Sequence, residues 1–270
     1  MNADLHCHSY FSDGKHTADF LIGRAIANNV THLAITDHDS TNVHVSLENY
    51  QGLTIIKGVE ISCAWENYEL HIVGLNINTR HPQLENLLAC QQAKRRHRIC
   101  EIDAKLAKIG IHGLLPYMSE LPAVAMTRSH VADFLVQQQF CKTRKSVFKQ
   151  YLNKNGHAYV GAQWCTLEEA VETITSGGGI AVLAHPSRYG INRTKLSYLV
   201  DTFKEAGGHA LECTYPSISI EMQAYLLKLA IENDLHVSGG SDFHDASATW
   251  TDVGKFPTLP RSTHQHAVWH

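Results

Sequence analysis

The chain has 270 residues, 44% hydrophobic and 18% charged, enough for one sizeable domain with a packed core and too apolar for a disordered or low-complexity protein. Its net charge is only −3, a mean that conceals an acidic body with a basic middle. No apolar run approaches the length of a transmembrane helix, and Met1-Asn2-Ala3-Asp4 has neither the basic nor the apolar part of a signal peptide.

Ala3–Cys7 is short and apolar and reads as a buried strand. Thr17 is placed to cap a helix over Ala18–Asn28, with Phe20, Leu21, Ala25 and Ile26 on its apolar face. His32–Thr36, Leu53–Ile61 and Glu69–Leu75 follow as three more buried strands. Pro82 suits the first turn of a long helix that runs to about Ile109 and stops at Gly110. Two further helices are predicted near Ser129–Gln138 and Lys145–Asn153. Beyond them, helix Leu167–Thr175 precedes strand Ile180–Ala184. Helix Lys195–Ala206 precedes strand His209–Cys213, and helix Glu221–Asn233 precedes strand His236–Gly239. Repeated βα units predict an α/β fold with a parallel sheet, open or closed into a barrel. Residues 80–159 interrupt it with helices alone, so the barrel is expected over 1–79 and 160–270 and an all-helical insertion between them.

Histidine is unusually abundant, nineteen residues in all, and it is the side chain best suited to metal ligation and to proton traffic near neutral pH. In Asp4-Leu5-His6-Cys7-His8-Ser9 the two imidazoles stand at i and i+2, so on a strand end both point the same way. Asp13 follows in a short loop. Later strands end in Asp37-His38-Asp39, in Val59-Glu60-Ile61 and in His185-Pro186, and the last runs into Ser241-Asp242-Phe243-His244; His71 lies on the fourth strand. In parallel α/β folds the carboxyl end of the sheet is where the active site lies. Imidazoles and carboxylates crowded at one end are costly unless compensated, and metal ions are the simple remedy. A donor set without thiolate suits Zn, Mn or Fe, and Mg less well. The seven cysteines are scattered and never spaced C-x-x-C, which fits reduced thiols in a cytoplasmic protein. The three carboxylates Asp13, Glu60 and Asp242 carry −3, so two or three divalent ions leave the pocket positive and attractive to an anionic substrate. Glu60 is the natural bridging ligand.

Asp4–Ser9, Thr36–Asp39, Gly58–Ser62, His185-Pro186 and Ser241–His244, in this order and spanning nearly the whole chain, resemble the motifs of the PHP (polymerase and histidinol phosphatase) superfamily of metal-dependent phosphoesterases. The resemblance implies a distorted (β/α)7 barrel with a trinuclear site. His6, His8, Glu60 and Asp242 would then hold one ion, Glu60, His71 and His185 a second, and Asp13, His38 and His244 a third. His71 is identified by its Leu70-His71-Ile72-Val73-Gly74 context. Thr127–Ala132, Phe148…Tyr151-Leu152 and His185–Tyr189 are similar to the branch of 5′→3′ exoribonucleases and nucleoside 3′,5′-bisphosphate phosphatases. That similarity implies Mn²⁺ and a nucleotide or short 5′-phosphorylated RNA or DNA as substrate.

The insertion supplies the polyanion side of this reading. Residues 80–159 carry 13 Lys+Arg against 5 Asp+Glu, and the rest of the chain 10 against 21. Arg95 and Arg98 fall on the apolar stripe of the long helix formed by Leu84, Leu87, Leu88, Ile99, Ile102, Leu106 and Ile109, so they need an anionic partner. A substrate phosphate is one candidate and a barrel carboxylate the other. Arg128, Arg188 and His130 flank the expected pocket as further phosphate contacts, the arginines through a planar bidentate fork. Lys142, Arg144, Lys145 and Lys149 form a solvated face that can steer a polynucleotide, and Tyr189 and Trp164 are candidates for stacking on a base. The expected activity is hydrolysis of a phosphate ester by a metal-bridging hydroxide, with Glu60, His185, Arg128 and Arg188 as the catalytic group. The alternatives are a small-metabolite phosphatase resembling histidinol phosphatase, an amidohydrolase, and a non-catalytic PHP module that binds nucleic acid or a protein partner.

Overall fold

The computed structural model describes residues 2–43, 50 and 52–269. In chain order the strands are β1 (Ala3–Asp4), β2 (His32–Ile35), β3 (Thr54–Trp65), β4 (Tyr68–Leu75), β5 (Cys165–Thr166), β6 (Ile180–Leu183), β7 (Ala210–Thr214) and β8 (His236–Gly239). The helices are α1 (Ala18–Ala27), α2 (Pro82–Ala107), α3 (Leu114–Ser119), α4 (Arg128–Gln137), α5 (Arg144–Val147), α6 (Leu167–Ser176), α7 (Arg193–Glu205) and α8 (Ile220–Glu232). α5 runs directly into a π-helical turn, Phe148–Leu152.

The strands lie in the order β1-β2-β3-β4-β6-β7-β8, with β5 paired to β3 off this path. The barrel closes where the Leu5 N–H donates to the Gly239 carbonyl at 3.1 Å, and a parallel bridge joins Cys7 to Phe243 beyond it. This is the distorted seven-stranded barrel expected, with one correction to its sheet. β4 runs antiparallel to both β3 and β6, because β3 and β4 form a hairpin through Glu66, held at φ 49°. A two-residue turn leaves no room for the crossover helix that parallel strands require.

The local reasons for the helices are those the sequence offers. Thr17 accepts from the Phe20 N–H to cap α1, and Thr166 and Glu169 cap α6 reciprocally. The barrel core packs β3, β4, β6, β7 and β8 against α6, α7 and α8 through residues such as Ile61, Leu183, Val200, Phe203 and Leu226. Ile99, Ile102, Leu106, Phe134, Leu135, Val147 and Leu152 form a second apolar cluster within the helical segment. α2 serves both clusters, since Leu84 and Leu88 on its first turns join the barrel core. The predicted end of the apolar stripe is exposed, with Ile109 46% accessible, and α3 was not anticipated. The C-terminal residues return to the barrel, where Ala267 bridges to Val237.

Candidate metal centre

The carboxyl ends of the parallel strands and the loops after them converge on Glu60, which is fully buried in the middle of β3 and not at its end, because that strand runs on to Trp65 and pairs there with β4. Its Oε1 lies 2.8 Å from His71 Nδ1, 3.2 Å from His6 Nε2 and 3.2 Å from His185 Nε2. Its Oε2 lies 2.9 Å from His38 Nδ1 and 3.2 Å from His8 Nε2. Asp242 Oδ1 approaches His8 Nε2 at 3.3 Å and His6 Nε2 at 3.6 Å. On the far side Asp13 Oδ1 faces His244 Nε2 at 3.2 Å and His38 Nε2 at 3.7 Å. All nine residues expected at the metal site are thus brought together. Three groupings of ligand atoms could each hold an ion: His6–His8–Glu60, His38–Glu60–His71, and His8–Asp13–His38–His244.

The donor chemistry fits divalent cations. Among the described residues, buried atoms without a hydrogen-bond partner include His6 Nε2, His8 Nε2, Asp13 Oδ1, His38 Nδ1, Glu60 Oε2 and His185 Nδ1. Among them His38 Nδ1 and His8 Nε2 face Glu60 Oε2 at 2.9 and 3.2 Å without hydrogen-bond geometry, and buried polar atoms at this density are expensive. Burial pushes the Glu60 carboxyl up, but His71, His6 and His38 outweigh it and hold the group well below the usual carboxylate range. Burial likewise opposes ionisation of Asp242, and His244, His8 and His6 override it. Three ionised carboxylates therefore demand positive charge. Protons on the imidazoles meet that demand in the absence of cations: burial favours a neutral His8, yet Asp242 and Glu60 raise it to about 10. His38 and His185 move the other way, lowered by burial toward the neutral ligand form.

A second layer of side chains orients these ligands. His6 Nδ1–H donates to Glu212 at 3.2 Å, turning Nε2 inward. His8 Nδ1–H donates to Ser12 Oγ at 3.3 Å, and Ser12 in turn donates to Asp37 at 2.6 Å. His244 Nδ1–H donates to the Asp242 carbonyl at 2.8 Å. The Glu212 carboxylate also accepts the His185 backbone N–H at 2.6 Å. Such outer partners set tautomer and ring direction. Sequence reasoning misses Glu212; the one available signal is its place near the carboxyl end of β7. Strain is concentrated here too, with His185 at φ 29°, Asp39 at 44° and Asp242 at 46°. At Gly240 any Cβ would lie 2.3 Å from that of His6, so glycine alone lets β8 approach the first ligand pair.

The expected phosphate contacts are placed less uniformly. Arg95 is buried and donates to Asp39 at 2.6 Å and to Ser62 Oγ at 2.8 Å. Arg98 donates to Glu69 at 3.0 Å and to the Val160 carbonyl at 2.9 Å. For both, pairing with barrel carboxylates is the arrangement found, which corrects the expectation of a substrate phosphate: the guanidinium forks are satisfied within the protein. His130 is buried under the N-terminus of α4, where its Nδ1 accepts the Thr127 N–H at 3.0 Å. Thr127 Oγ1 donates to Asp13 at 3.1 Å, so His130 positions a residue that holds a candidate ligand. Arg128 donates to Glu69 at 3.2 Å and remains a third exposed. Arg188 pairs with Asp242 at the rim of the cluster, its side chain 39% exposed. Trp164 is covered by Arg95 and Arg98 and donates to Glu69, while Tyr189 clamps His71 and Ala184 through its hydroxyl. Both rings are half-buried, and Trp164 lines a cleft of about 240 Å³ beside Arg98.

A closed α/β barrel with a buried carboxylate–imidazole cluster able to bind several metal ions, opening beside arginine, defines a hydrolase of the metal-dependent phosphoesterase class. The family model described as the PHP domain matches residues 4–154, and the chain belongs to that family. It is 40% identical to the 5′-3′ exoribonuclease Rnm of Escherichia coli, over 98% of this chain and 92% of that protein. It is 36% identical to the 3′,5′-nucleoside bisphosphate phosphatase of Chromobacterium violaceum, over 96% of this chain and 93% of that protein. A solved structure from Chromobacterium violaceum, named an amidohydrolase and holding sulfate without metal, superposes with a TM-score of 0.90 at 35% identity. That match covers 100% of this chain and 95% of the other.

Proposed function

We propose that this chain hydrolyses phosphate esters of 5′-phosphorylated RNA and of nucleoside 3′,5′-bisphosphates, with Mn²⁺ as its working ion. The observation that supports this most strongly is the convergence of His6, His8, Asp13, His38, Glu60, His71, His185, Asp242 and His244 on one buried cluster. Bound divalent ions supply a nucleophile at neutral pH and charge to stabilise the phosphoryl oxygens. Glu60 places both carboxylate oxygens between the imidazoles, so it is the shared ligand. His185 and His71 flank one side of it, and Asp13 and His244 stand on the other.

Arg188 is the residue best placed to orient substrate. It holds one oxygen of Asp242 while the other faces His6 and His8, so its partly exposed guanidinium stands at the rim of the cluster, where it would meet a phosphoryl oxygen. Arg128, next to Arg98 on the shared Glu69, is the second phosphate contact. The ligand grouping around Asp13 and His244 favours this reading over an amidohydrolase, which needs one or two ions. The filled ligand set favours an enzyme over a non-catalytic module. Seven free cysteines fit a reducing, cytoplasmic setting, and no described helix is long and apolar enough to cross a membrane.

The test is a product assay with Mn²⁺ on a short 5′-phosphorylated RNA and, separately, on adenosine 3′,5′-bisphosphate. Stepwise release of mononucleotides marks exoribonuclease activity, and phosphate release from the bisphosphate marks the phosphatase. Turnover of neither overturns the proposal.

A further inference from the structure

One exposed aromatic residue has no structural duty. Trp250 is 72% accessible, on the loop between Phe243 and Val253, and a tryptophan left in water forgoes one of the largest apolar gains a side chain offers. It stands where two clefts meet. The first, of about 740 Å³, begins at the metal centre with Asp242 and His244, passes Arg188, Arg144 and Lys15, and ends at Trp250. The second, of about 330 Å³, starts on Trp250 and its neighbours Ala248 and Thr251 and leads away toward Arg24 and Lys255.

Cations are spaced along both clefts, and in the second they outnumber the acids. Lys15 and Arg144 converge on the single carboxylate of Asp133. Arg188 shares its acid, Asp242, with the imidazoles of the metal cluster. Asp245 also lines the first cleft and keeps its charge, so the cations Lys15, Arg144 and Arg188 alternate there with the acids Asp133, Asp242 and Asp245. Beyond Trp250, Arg24 and Lys255 both pair with Asp252, again two cations to one acid. Spaced cations with an aromatic face between them are what a single-stranded nucleic acid uses, phosphates on the cations and a base on the ring.

We propose that single-stranded RNA leaves the metal centre through the first cleft, stacks a base on Trp250 and continues into the second. This rests on the phosphoesterase reading above and extends it, because a nucleoside bisphosphate held at the metal ligands would need only the near end of the first cleft, short of Trp250. Trp250 is then a specificity residue that separates long from short substrates.

The experiment compares wild type, W250A and W250F with Mn²⁺ on 5′-phosphorylated RNAs of increasing length and on adenosine 3′,5′-bisphosphate. W250A is expected to raise KM about tenfold for the longer RNAs, as loss of one base–aromatic stack would, and to leave the bisphosphate within about twofold. W250F, which keeps a ring, restores most of the affinity. An equal effect on both substrates, or none on either, overturns the strand path. Fluorescence anisotropy with a 3′-labelled decamer separates this failure from failure of the catalytic reading. Binding that W250A weakens, without any turnover, sinks the phosphoesterase reading and supports the path. Absence of binding by the wild type sinks the path.

Discussion

Glu212 illustrates how one side chain can govern a site without touching a substrate. Its carboxylate holds the His6 ring on one oxygen and the His185 backbone on the other, so two ligands lose their orientation together when it changes. Glu212→Gln is expected to weaken Mn²⁺ binding about 10–100-fold with the fold intact, measured by metal titration alongside circular dichroism. Arg95 makes the opposite case. It is buried on Asp39, itself wholly inaccessible, so Arg95→Ala leaves a charge without its partner and should cost about 3–5 kcal/mol of stability. A change in KM with the melting temperature unmoved would show that Arg95 serves substrate after all. The inward direction of Arg95 was legible from its place on the apolar stripe. Its partner was not, because Asp39 lies 56 residues away and only folding brings them together.

Among the elements, α2 and α4 tie the helical segment to the barrel, and Glu69 on β4 collects several of the polar contacts. Its carboxylate accepts from Arg98 at 3.0 Å, Arg128 at 3.2 Å and Trp164 Nε1 at 3.3 Å. Burial pushes its carboxyl up, yet Arg128 and Arg98 prevail and hold it below the usual 4.5. A carboxyl depressed in the folded state stabilises fully above its unfolded value, and that contribution is lost as the pH falls through the lower folded value. Glu69→Gln should therefore melt earlier at pH 7, by an amount worth about 1 kcal/mol after solvent screening. The gap from wild type should narrow below pH 4.5. Thermal melts of both proteins across pH 3 to 7 check this, and a constant gap would remove Glu69 from the link. Capping residues made the helices readable along the chain, whereas the reversal of β4 was hidden. Its apolar run is the same in either direction, and only the tight turn at Glu66 sets the sense.

At the scale of the molecule, the barrel gathers acids and imidazoles that repel or strand one another without cations, so metal should act as part of the fold. Chelation is expected to lower the melting temperature by roughly 5–10 °C relative to protein saturated at about a hundredfold over its dissociation constant. Mn²⁺ restores it, and the binding releases protons because carboxylate-bound imidazoles must become neutral ligands. Differential scanning fluorimetry and titration calorimetry in two buffers read the two effects. A melting temperature indifferent to chelator would contradict the cluster's role as a metal centre. The sequence by itself determined which residues could be ligands, because H-x-H on a strand and carboxylates at strand ends are local patterns with a period of two. It also determined the helical nature of residues 80–159 and their basic charge. Only the tertiary structure decided which donors share Glu60, which arginines are consumed by internal acids, and that Trp250 stands exposed between two clefts. Those outcomes depend on through-space distances between residues far apart in the chain, set by barrel closure and by glycine and positive-φ positions at the strand ends, and no local pattern encodes them.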